Sequence, residues 1–368
     1  MKKFFGRFWV FIPLILAAAM YFLLPLFPGF TEYVISRGLN KIITVPLGFL
    51  TSLIPVSLTE WLLILSVPIV IFLIVLLIVK LRKSEKKSRT LLGAGKFLAG
   101  FISITSFLYM TCHGANYYRY PLERNMGLDT SHRSQEELQR VCIILAQGAA
   151  QARAELDVPE DAEFEFSESI YTELTRAGSG YSALTDEYPF LWTSIWRQKP
   201  VMLSEQWSYT FIVGMYFPML AECNINTVQP DYCIPFTAAH ESAHSRGIAF
   251  ENECNFLAFL SCINSEYPEY RYSGYMEALS YCRRDLDSEY RKEVNEYITD
   301  GMWADYAASN RFLDDHRKEI KIGSTEISVS EVSSQVNDNF IKSQGVEEGV
   351  RSYNQVTDLI LAYYGSKG

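Results

Sequence analysis

Residues 235–256 read PFTAAHESAHSRGIAFENECNF, and the predicted fold and site both depend on this stretch. His240 and His244 are four residues apart, so on an α-helix both imidazoles project from one face, one turn apart. Two neutral imidazoles at this spacing bind one Zn²⁺ at about 2.0–2.1 Å each. Glu241 directly follows the first histidine, so its carboxylate points beside the metal and can take a proton from a zinc-bound water. The motif therefore predicts a hydrolytic zinc centre.

The residues after this motif predict a turn and then a second helix. Gly247 falls where a left-handed helix stop belongs, and AFENECNFLAFLSC is compatible with a helix. A catalytic zinc site uses three protein ligands and leaves one position for water. Glu251 is the preferred third ligand, because Asn255 lies on the same helical face and would hydrogen-bond a ligand imidazole from behind. Glu253 is the weaker alternative, since Leu257 stands at the same offset from it.

The run HESAHSRGIAFENECNFLAF resembles the pattern of a bacterial membrane family, domain of unknown function 3810, which is grouped with the HExxH zinc peptidases. Similar stretches are GMYFPMLAECNIN and YCIPFTAAHE before it, and YSGYMEALSY and SYNQVTDLILAYY after it, so the resemblance covers most of the chain. It implies a zincin-like fold, of the gluzincin type, and a Zn²⁺ cofactor. The family's substrates are unknown, so the expected substrate, a peptide or protein, does not come from the resemblance. The resemblance also implies that TFIVGMYFPMLAECNIN forms an edge strand antiparallel to bound peptide.

Composition divides the chain into an apolar, basic part and an acidic part. The 368 residues carry a net charge of −9. Residues 1–112 are strongly apolar and basic, so the acidity belongs to residues 113–368. An acidic surface argues against binding to nucleic acid.

Residues 1–112 are predicted to form a membrane region. Three stretches are apolar and about as long as a bilayer span, at residues 8–28, 61–79 and 91–112. The segment between the first two, residues 29–59, is interrupted by prolines and a glycine and predicts an interfacial or re-entrant segment. The lipid bilayer is therefore an expected partner of this chain.

Basic residues predict the orientation in the membrane. Lysines and arginines cluster in residues 1–7 and again in residues 80–89. The positive-inside rule places both clusters in the cytoplasm. The chain is thus predicted to be a multi-pass protein of the cell membrane with a cytoplasmic N-terminus. Residues 113–368, which carry the histidine motif, then form an extracytoplasmic catalytic domain.

That domain is predicted to be α+β and mostly helical. GSGYSAL is typical of a loop, and VMLSEQWSYTF and VGMYFPM have strand character. Its cysteines permit disulfides, of which Cys223 with Cys233 is the first choice, or serve as small buried hydrophobes. None is assigned to zinc, because no CxxC spacing occurs.

Several further residues are candidates for a role at the zinc centre or beside it. A Tyr hydroxyl, at Tyr272 or Tyr275, would donate to the oxyanion formed in hydrolysis, although core packing is the more frequent role of such a residue. Arg246 is expected to cap the end of the motif helix. The remaining histidines lack partners at a ligand spacing and are expected to have ordinary roles; they are His113, His132 and His316.

The sequence as a whole predicts a membrane-anchored zinc-dependent metallohydrolase, most simply a peptidase. Glu241 would act as the general base on a zinc-activated water, and His240, His244 and Glu251 would hold the metal. The alternative is a non-catalytic membrane sensor or assembly protein that keeps zinc for structure. The intact glutamate at position 241 favours the hydrolase.

Overall fold

The computed structural model describes residues 9–131, 134–193, 197–322, 325–344 and 355–366. His132 and the basic residues 1–7 lie outside these ranges. Within them helices predominate, as the sequence predicts, and the strands are short. The chain is therefore mostly helical.

The helices and strands of the described ranges have the following bounds. The α-helices are α1 (Ile12–Leu23), α2 (Asn40–Ser52), α3 (Leu58–Lys83), α4 (Lys87–Cys112), α5 (Leu122–Met126), α6 (Gln135–Ala154), α7 (Ile170–Thr175), α8 (Ser179–Glu187), α9 (Ser204–Ser208), α10 (Ile234–Ser245), α11 (Glu251–Ile263), α12 (Pro268–Asp285), α13 (Ser288–Asn295), α14 (Asp300–Asp315), α15 (Val329–Ser343) and α16 (Val356–Gly365). The strands are β1 (Lys199–Pro200), β2 (Gly214–Phe217), β3 (Glu222–Ile225), β4 (Glu319–Ile322) and β5 (Thr325–Ser328). A turn of α-helix at Pro28–Phe30 and a π-helix at Thr31–Leu39 lead into α2, and 3₁₀ turns occur at Trp9–Phe11, Leu24–Leu26, Gly114–Tyr118, Pro189–Leu191 and Asp231–Cys233.

Among the residues that the structure describes, three helical segments are long and apolar enough to cross a membrane: Trp9–Leu26, Leu58–Lys83 and Lys87–Cys112. They coincide with the three predicted spans, and the second and third begin several residues earlier than predicted. Helix α3 starts where the Ser57 hydroxyl accepts a hydrogen bond from the Glu60 amide at 2.9 Å. It ends in a basic turn, which complements the negative end of the helix dipole.

The first and third of these helices, α1 and α4, pack against each other. The Leu14 amide, in the first turn of α1, has no partner within its own helix and donates to the Ser103 hydroxyl on α4 at 2.9 Å. The Ser103 side chain is fully buried. A polar contact of this kind is valuable in hydrocarbon, where water cannot satisfy the amide.

The segment between the first two apolar helices is helical, with its polar residues turned inward. Glu32 is fully buried and forms an ion pair with Arg119 at 2.6 Å. The Asn40 amide donates to the carbonyls of Thr111 and Cys112 at 3.2 and 2.6 Å, where α4 ends. Apolar side chains such as Ile42, 72% exposed, lie on the outer face. Residues of the predicted interfacial segment are thus bonded to the last residues of the third apolar helix and to Arg119, which follows it.

A buried charged cluster joins the start of α3 to the sheet. The Glu222 carboxylate, on β3, accepts hydrogen bonds from the backbone amides of Leu58 and Thr59 at 3.2 and 2.7 Å. It also forms an ion pair with Lys199 on β1, and both side chains are at most 1% exposed. The carboxylate thereby caps the positive end of an apolar helix and fixes it to the middle strand of the sheet.

The three-stranded sheet has the order β1-β3-β2, so β2 and β1 are its edges. Strands β1 and β3 are parallel, whereas β2 and β3 are antiparallel with Tyr216 opposite Cys223. Helix α10 packs on this sheet, on α11 and on α12, and α12 also packs along α6. These helices and α16 enclose the main core, which contains Leu145, Phe256, Phe259, Met276 and Ile360.

Two local predictions were wrong. The stretch GSGYSAL forms α8 rather than a loop, because Gly180 allows a close approach: a Cβ there would lie 1.7 Å from the Ser261 carbonyl oxygen. The stretch VMLSEQWSYTF contains α9 instead of a strand. The amides of Met202 and Leu203 donate to the Glu60 carboxylate at 3.0 and 2.7 Å, so they are not available to a neighbouring strand.

The predicted pairing of Cys223 with Cys233 is also absent from the structure, in which both are free thiols. The Cys223 thiol donates to the Glu241 carbonyl at 3.3 Å, and the Cys233 sulfur lies 3.6 Å from the Ser309 hydroxyl. Each thiol therefore has a separate buried partner.

Candidate metal centre

The histidine motif lies on helix α10, as its spacing predicts. Pro235 occupies the first turn, and the helix is followed by Gly247 in the left-handed region with φ +83°. A glycine is the residue that adopts this conformation without strain, so the chain can turn back at once. The rings of His240 and His244 pack edge to face, with centroids 4.9 Å apart and an interplanar angle of 77°.

The Nδ1 nitrogen of each histidine ring lies beside a hydrogen-bond acceptor. His244 Nδ1 lies 3.0 Å from the Ile248 carbonyl oxygen, and His240 Nδ1 lies 2.7 Å from Asn255 Oδ1. In a neutral imidazole, an acceptor at Nδ1 keeps the proton on that nitrogen and leaves Nε2 with its lone pair. Each ring, when neutral, therefore presents Nε2 to a metal.

Glu251 brings an oxygen to both Nε2 atoms. Its Oε2 lies 3.1 Å from His240 Nε2 and 3.5 Å from His244 Nε2. Burial would raise the pKa of Glu251, but the two histidines hold it well below its ordinary value. Two imidazole nitrogens and one carboxylate oxygen thus converge from α10 and from the first turn of α11.

Glu253, the alternative third ligand, has a different partner. Its Oε1 accepts a hydrogen bond from the Leu122 amide at 2.7 Å, at the start of α5. Burial raises the pKa of Glu253 to about 7. The structure places Glu251, and not this residue, against the histidines.

Cys254 adds a sulfur donor that sequence analysis did not assign. Ligand atoms of His240, His244 and Cys254 all lie within 4.8 Å of one another. The sulfur, however, lies 3.3 Å from His244 Nδ1, on the side of the ring that faces the Ile248 carbonyl. Burial raises the pKa of the Cys254 thiol to about 12. The ligand set of His240, His244 and Glu251 is more favourable than the set with Cys254, because it uses the Nε2 atoms of both rings.

The Glu241 carboxylate lies between α10 and strand β2. It is 5% exposed and accepts a hydrogen bond from the Tyr216 backbone amide. Its Oε1 approaches Gly214 so closely that a Cβ there would lie 2.5 Å away. Its Oε2 has no hydrogen-bond partner among the described residues. Burial raises the pKa of Glu241, although the histidines oppose this shift.

Strand β2 turns one of its edges toward this glutamate. The Val213 carbonyl accepts a hydrogen bond from the Asn226 backbone amide, just before the paired residues of β2 and β3. In an antiparallel pair, successive residues of a strand direct their backbone groups alternately toward the neighbouring strand and away from it. The backbone N–H and C=O groups of Gly214 and Tyr216 therefore point away from β3. β2 is an edge strand, as the resemblance implied for this segment, and its outward groups lie beside Glu241.

His113 also lies at the site, although its distance along the sequence from the histidine motif did not predict this. It follows the last residue of α4, and its ring lies 5.8 Å from that of His244 and 6.3 Å from that of Tyr216, centroid to centroid. Burial and the nearby His244 lower the pKa of His113 to about 3, so the ring is neutral. Its Nδ1 is buried without a hydrogen-bond partner in the described part of the chain.

The two tyrosines considered as oxyanion donors have other contacts. The Tyr272 hydroxyl donates to Asp305 at 2.5 Å and accepts from Arg153 at 3.3 Å. The Tyr275 ring packs at Gly148 on α6. The core role that was favoured for Tyr272 agrees with its buried bonds to an ion pair, and the contact of Tyr275 lies at the interface of α6 and α12.

Two other expectations are settled by direct contacts. The Arg246 guanidinium donates to the Ser242 carbonyl at 2.8 Å, which confirms that it caps α10. His316 lies 3.5 Å from Glu205, an exposed residue of α9, so the ordinary role expected for it agrees with its position.

The donor set fits a zinc ion. Two imidazole nitrogens with fixed tautomers and one carboxylate oxygen match the three-ligand catalytic type, which leaves a position for water. Unpartnered buried polar atoms surround the same place: Glu241 Oε2, Asn255 Nδ2 and His113 Nδ1. Such atoms are costly to bury unless water, an ion or a substrate satisfies them.

Comparison with known proteins identifies a family for this chain. Residues 35–361 match the family model described as "Protein of unknown function (DUF3810)". The match begins after the first apolar helix and includes α10, α11 and His113. A search of curated proteins and a search of solved structures each found no match. Because the family model covers most of its length, the chain belongs to the DUF3810 family.

Proposed function

We propose that this protein is a membrane-anchored zinc-dependent metallohydrolase, and specifically a peptidase of the gluzincin type with a zincin-like fold. The observation that carries the proposal is the convergence of His240 Nε2, His244 Nε2 and Glu251 Oε2, with a carboxylate oxygen of Glu241 unpartnered beside them. Zinc held by these three residues supplies a Lewis acid that polarises a carbonyl and lowers the pKa of a bound water.

The roles of the protein residues follow from their contacts. Asn255 and the Ile248 carbonyl hold the protons of the two imidazoles on Nδ1, so the Nε2 atoms stay available. Glu241 takes a proton from the attacking water and passes it to the leaving amine. The Tyr216 amide holds one side of that carboxylate, which keeps the unpartnered oxygen turned to the substrate.

Strand β2 supports a peptide as the substrate. An extended peptide binds to a sheet edge through backbone hydrogen bonds, and this needs no particular side chain. The outward edge of β2 runs past Glu241, with Gly214 at the closest approach. A peptide paired with this edge would bring a backbone carbonyl to the general base.

We also propose the orientation in the membrane. Residues 80–89, where the end of α3 leads into the start of α4, are basic and are expected in the cytoplasm by the positive-inside rule. The opposite end of α4 leads directly to His113, so the metal centre would lie at the outer surface of the cell membrane.

The alternative is a sensor or assembly protein with a structural zinc site. Structural zinc sites have four protein ligands and no open position, whereas this site offers three converging donors and a general base. The unpartnered oxygen of Glu241 therefore favours the hydrolase.

The experiment that tests the proposal compares the full-length protein with its Glu241→Gln variant in detergent. Metal content is measured by mass spectrometry, and cleavage of a peptide library is followed by the same technique. We expect about one zinc per chain in both proteins, with cleavage by the wild type alone. Zinc in both with cleavage by neither would favour the structural role, and a folded wild type that takes up no zinc would overturn the proposal.

A further inference from the structure

The side chain of His113, at the end of the third apolar helix, lies at the candidate metal centre. His113 directly follows α4, and its ring meets the His244 ring edge-on at 5.8 Å. Two tyrosine rings flank it as well, those of Tyr109 at 6.1 Å and Tyr117 at 5.7 Å. The imidazole is therefore held in a fixed position by rings that cover it from water.

The position of His113 relative to the other site residues is specific. The side of His244 that carries Nδ1 is taken by the Ile248 carbonyl and Cys254, and its Nε2 faces Glu251. His113 packs against the remaining surface of this ring. It also lies 6.3 Å from the Tyr216 ring, on the strand whose backbone amide holds Glu241. His113 thus lies between a metal ligand and the proposed peptide-binding strand.

Hydrolysis of a peptide bond is accelerated by a hydrogen-bond donor beside the carbonyl oxygen that is attacked. When the oxygen of water attacks the carbonyl carbon, the electron pair of the C=O bond moves to the carbonyl oxygen, which becomes negative. Donors already aimed at that oxygen give one of the largest contributions to catalysis. The contribution is larger where water is excluded, because the local dielectric is low.

Several other polar groups near the centre are already used. Glu241 is an acceptor, Arg246 donates to the Ser242 carbonyl, and the Tyr272 hydroxyl donates to Asp305. The buried polar atoms that no described residue satisfies include His113 Nδ1, the Tyr109 hydroxyl and Asn255 Nδ2. Of these residues, His113 is the one whose ring packs both on a metal ligand, His244, and on Tyr216 of strand β2. A neutral imidazole always carries one N–H to donate.

We propose that His113 donates an imidazole N–H hydrogen bond to the oxyanion of the tetrahedral intermediate. This inference rests on the proposed hydrolase function and adds a catalytic residue to it. No proton moves from His113 in this role, and its hydrogen bond shortens as charge develops on the oxygen. The catalytic centre is then complete only when α4 is present, so the enzyme is expected to work as the intact membrane protein.

The test measures binding of a phosphinic peptide, a stable analogue of the tetrahedral intermediate, to the zinc-loaded full-length protein. His113→Phe keeps an aromatic ring against His244 and removes the donor. His113→Gln retains a donor, and His113→Leu is a second variant without one. Zinc stoichiometry and thermal unfolding are recorded for all three, and the rate of zinc removal by 1,10-phenanthroline reports on the metal ligands alone.

We expect all variants to keep about one zinc per chain and to lose it to phenanthroline at the wild-type rate. The affinity for the phosphinic peptide should fall on the order of 10²-fold in His113→Phe and His113→Leu, and should recover in part in His113→Gln.

Two results would overturn the inference while leaving the hydrolase proposal intact. One is wild-type affinity for the phosphinic peptide in the donor-free variants. The other is faster zinc loss in all three, which would make His113 a positioning residue for His244. A wild-type protein that binds no zinc would overturn the hydrolase proposal, and this inference with it.

Discussion

Asn255 Oδ1 lies 2.7 Å from His240 Nδ1, and this contact decides which nitrogen of the ring is presented to Glu251. The amide comes from α11 and the imidazole from α10, so the two helices must keep their register for the ring to stay in place. A hydrogen bond of this kind behind a metal ligand fixes its tautomer and raises its basicity.

Replacing Asn255 by leucine removes this acceptor and keeps the branched shape and the number of side-chain heavy atoms. We expect zinc affinity to fall by about 10–100-fold, the usual effect of losing such a contact. Competition for zinc with a fluorescent chelator measures this affinity. Asn252→Leu, on the same helix, is the matched control, because the Asn252 amide contacts Gln355 instead of a histidine. Unchanged affinity in Asn255→Leu would contradict the role.

The two candidate glutamates can be separated by zinc content. Glu251→Gln should lose zinc, because its oxygen lies against both Nε2 atoms. Glu253→Gln should keep it, since a glutamine oxygen can still accept from the Leu122 amide. Mass spectrometry of the purified full-length variants gives the stoichiometry. Zinc retained in the first variant and lost in the second would reverse the assignment.

A methyl group at position 214 is expected to disturb the general base. The Cβ of Gly214→Ala would lie 2.5 Å from Glu241 Oε1 and 2.9 Å from Thr237 Cγ2, so the carboxylate must shift. A displacement of about 1 Å can cost 10²-fold in rate, so we expect a loss of that order with zinc retained. Peptide cleavage by the variant measures the effect. In Gly178→Ala, the control, the added carbon meets nothing within 4 Å. Full activity of Gly214→Ala would contradict the close approach.

The buried pair of Glu222 and Lys199 is expected to couple α3 to the sheet. Replacing either partner leaves an uncompensated buried charge, which typically costs about 3–5 kcal/mol of the free energy of unfolding. The double variant Glu222→Gln with Lys199→Met should cost less than the two single changes together. Thermal unfolding of the detergent-solubilised protein measures all three. Additive losses would show that the two residues act independently.

Glu173 is expected to make stability depend on pH. Burial, with a further contribution from Glu269, raises the pKa of Glu173 to about 7 in the folded protein, from an ordinary value of 4.5. The folded state therefore keeps a proton that the unfolded chain releases, and stability falls as pH rises from about 4.5 to about 7. The loss is at most about 3 kcal/mol.

Glu173→Gln should abolish the fall of stability with rising pH and should stabilise the protein at pH 8. Unfolding of the variant and of the wild type is followed from pH 5 to pH 8. The exposed residue Glu160, changed to glutamine in the same way, is the control. An unchanged slope in Glu173→Gln would assign the pH dependence to other groups.

Local patterns in the sequence were sufficient for the helices that carry the site. The spacing of His240 and His244 predicts one helical face, Gly247 predicts the turn, and both are present. The offset of Glu251 and Asn255 predicts that both face the same neighbour, and both contact His240. Apolar runs likewise predicted three long helices. All of these follow from the period of a helix or from composition, which are local properties.

Tertiary structure decided the contacts between residues far apart in the chain. His113 and Gly214 reach the site from the end of α4 and from β2, and no spacing relates them to the motif on α10. Tyr272, by contrast, is drawn to Asp305 by a buried ion pair. Packing and burial select such partners, because a buried polar group must find its hydrogen bond wherever the fold supplies one. The sequence by itself therefore determined the helix that presents the ligands, and only the packing of the chain determined what surrounds them.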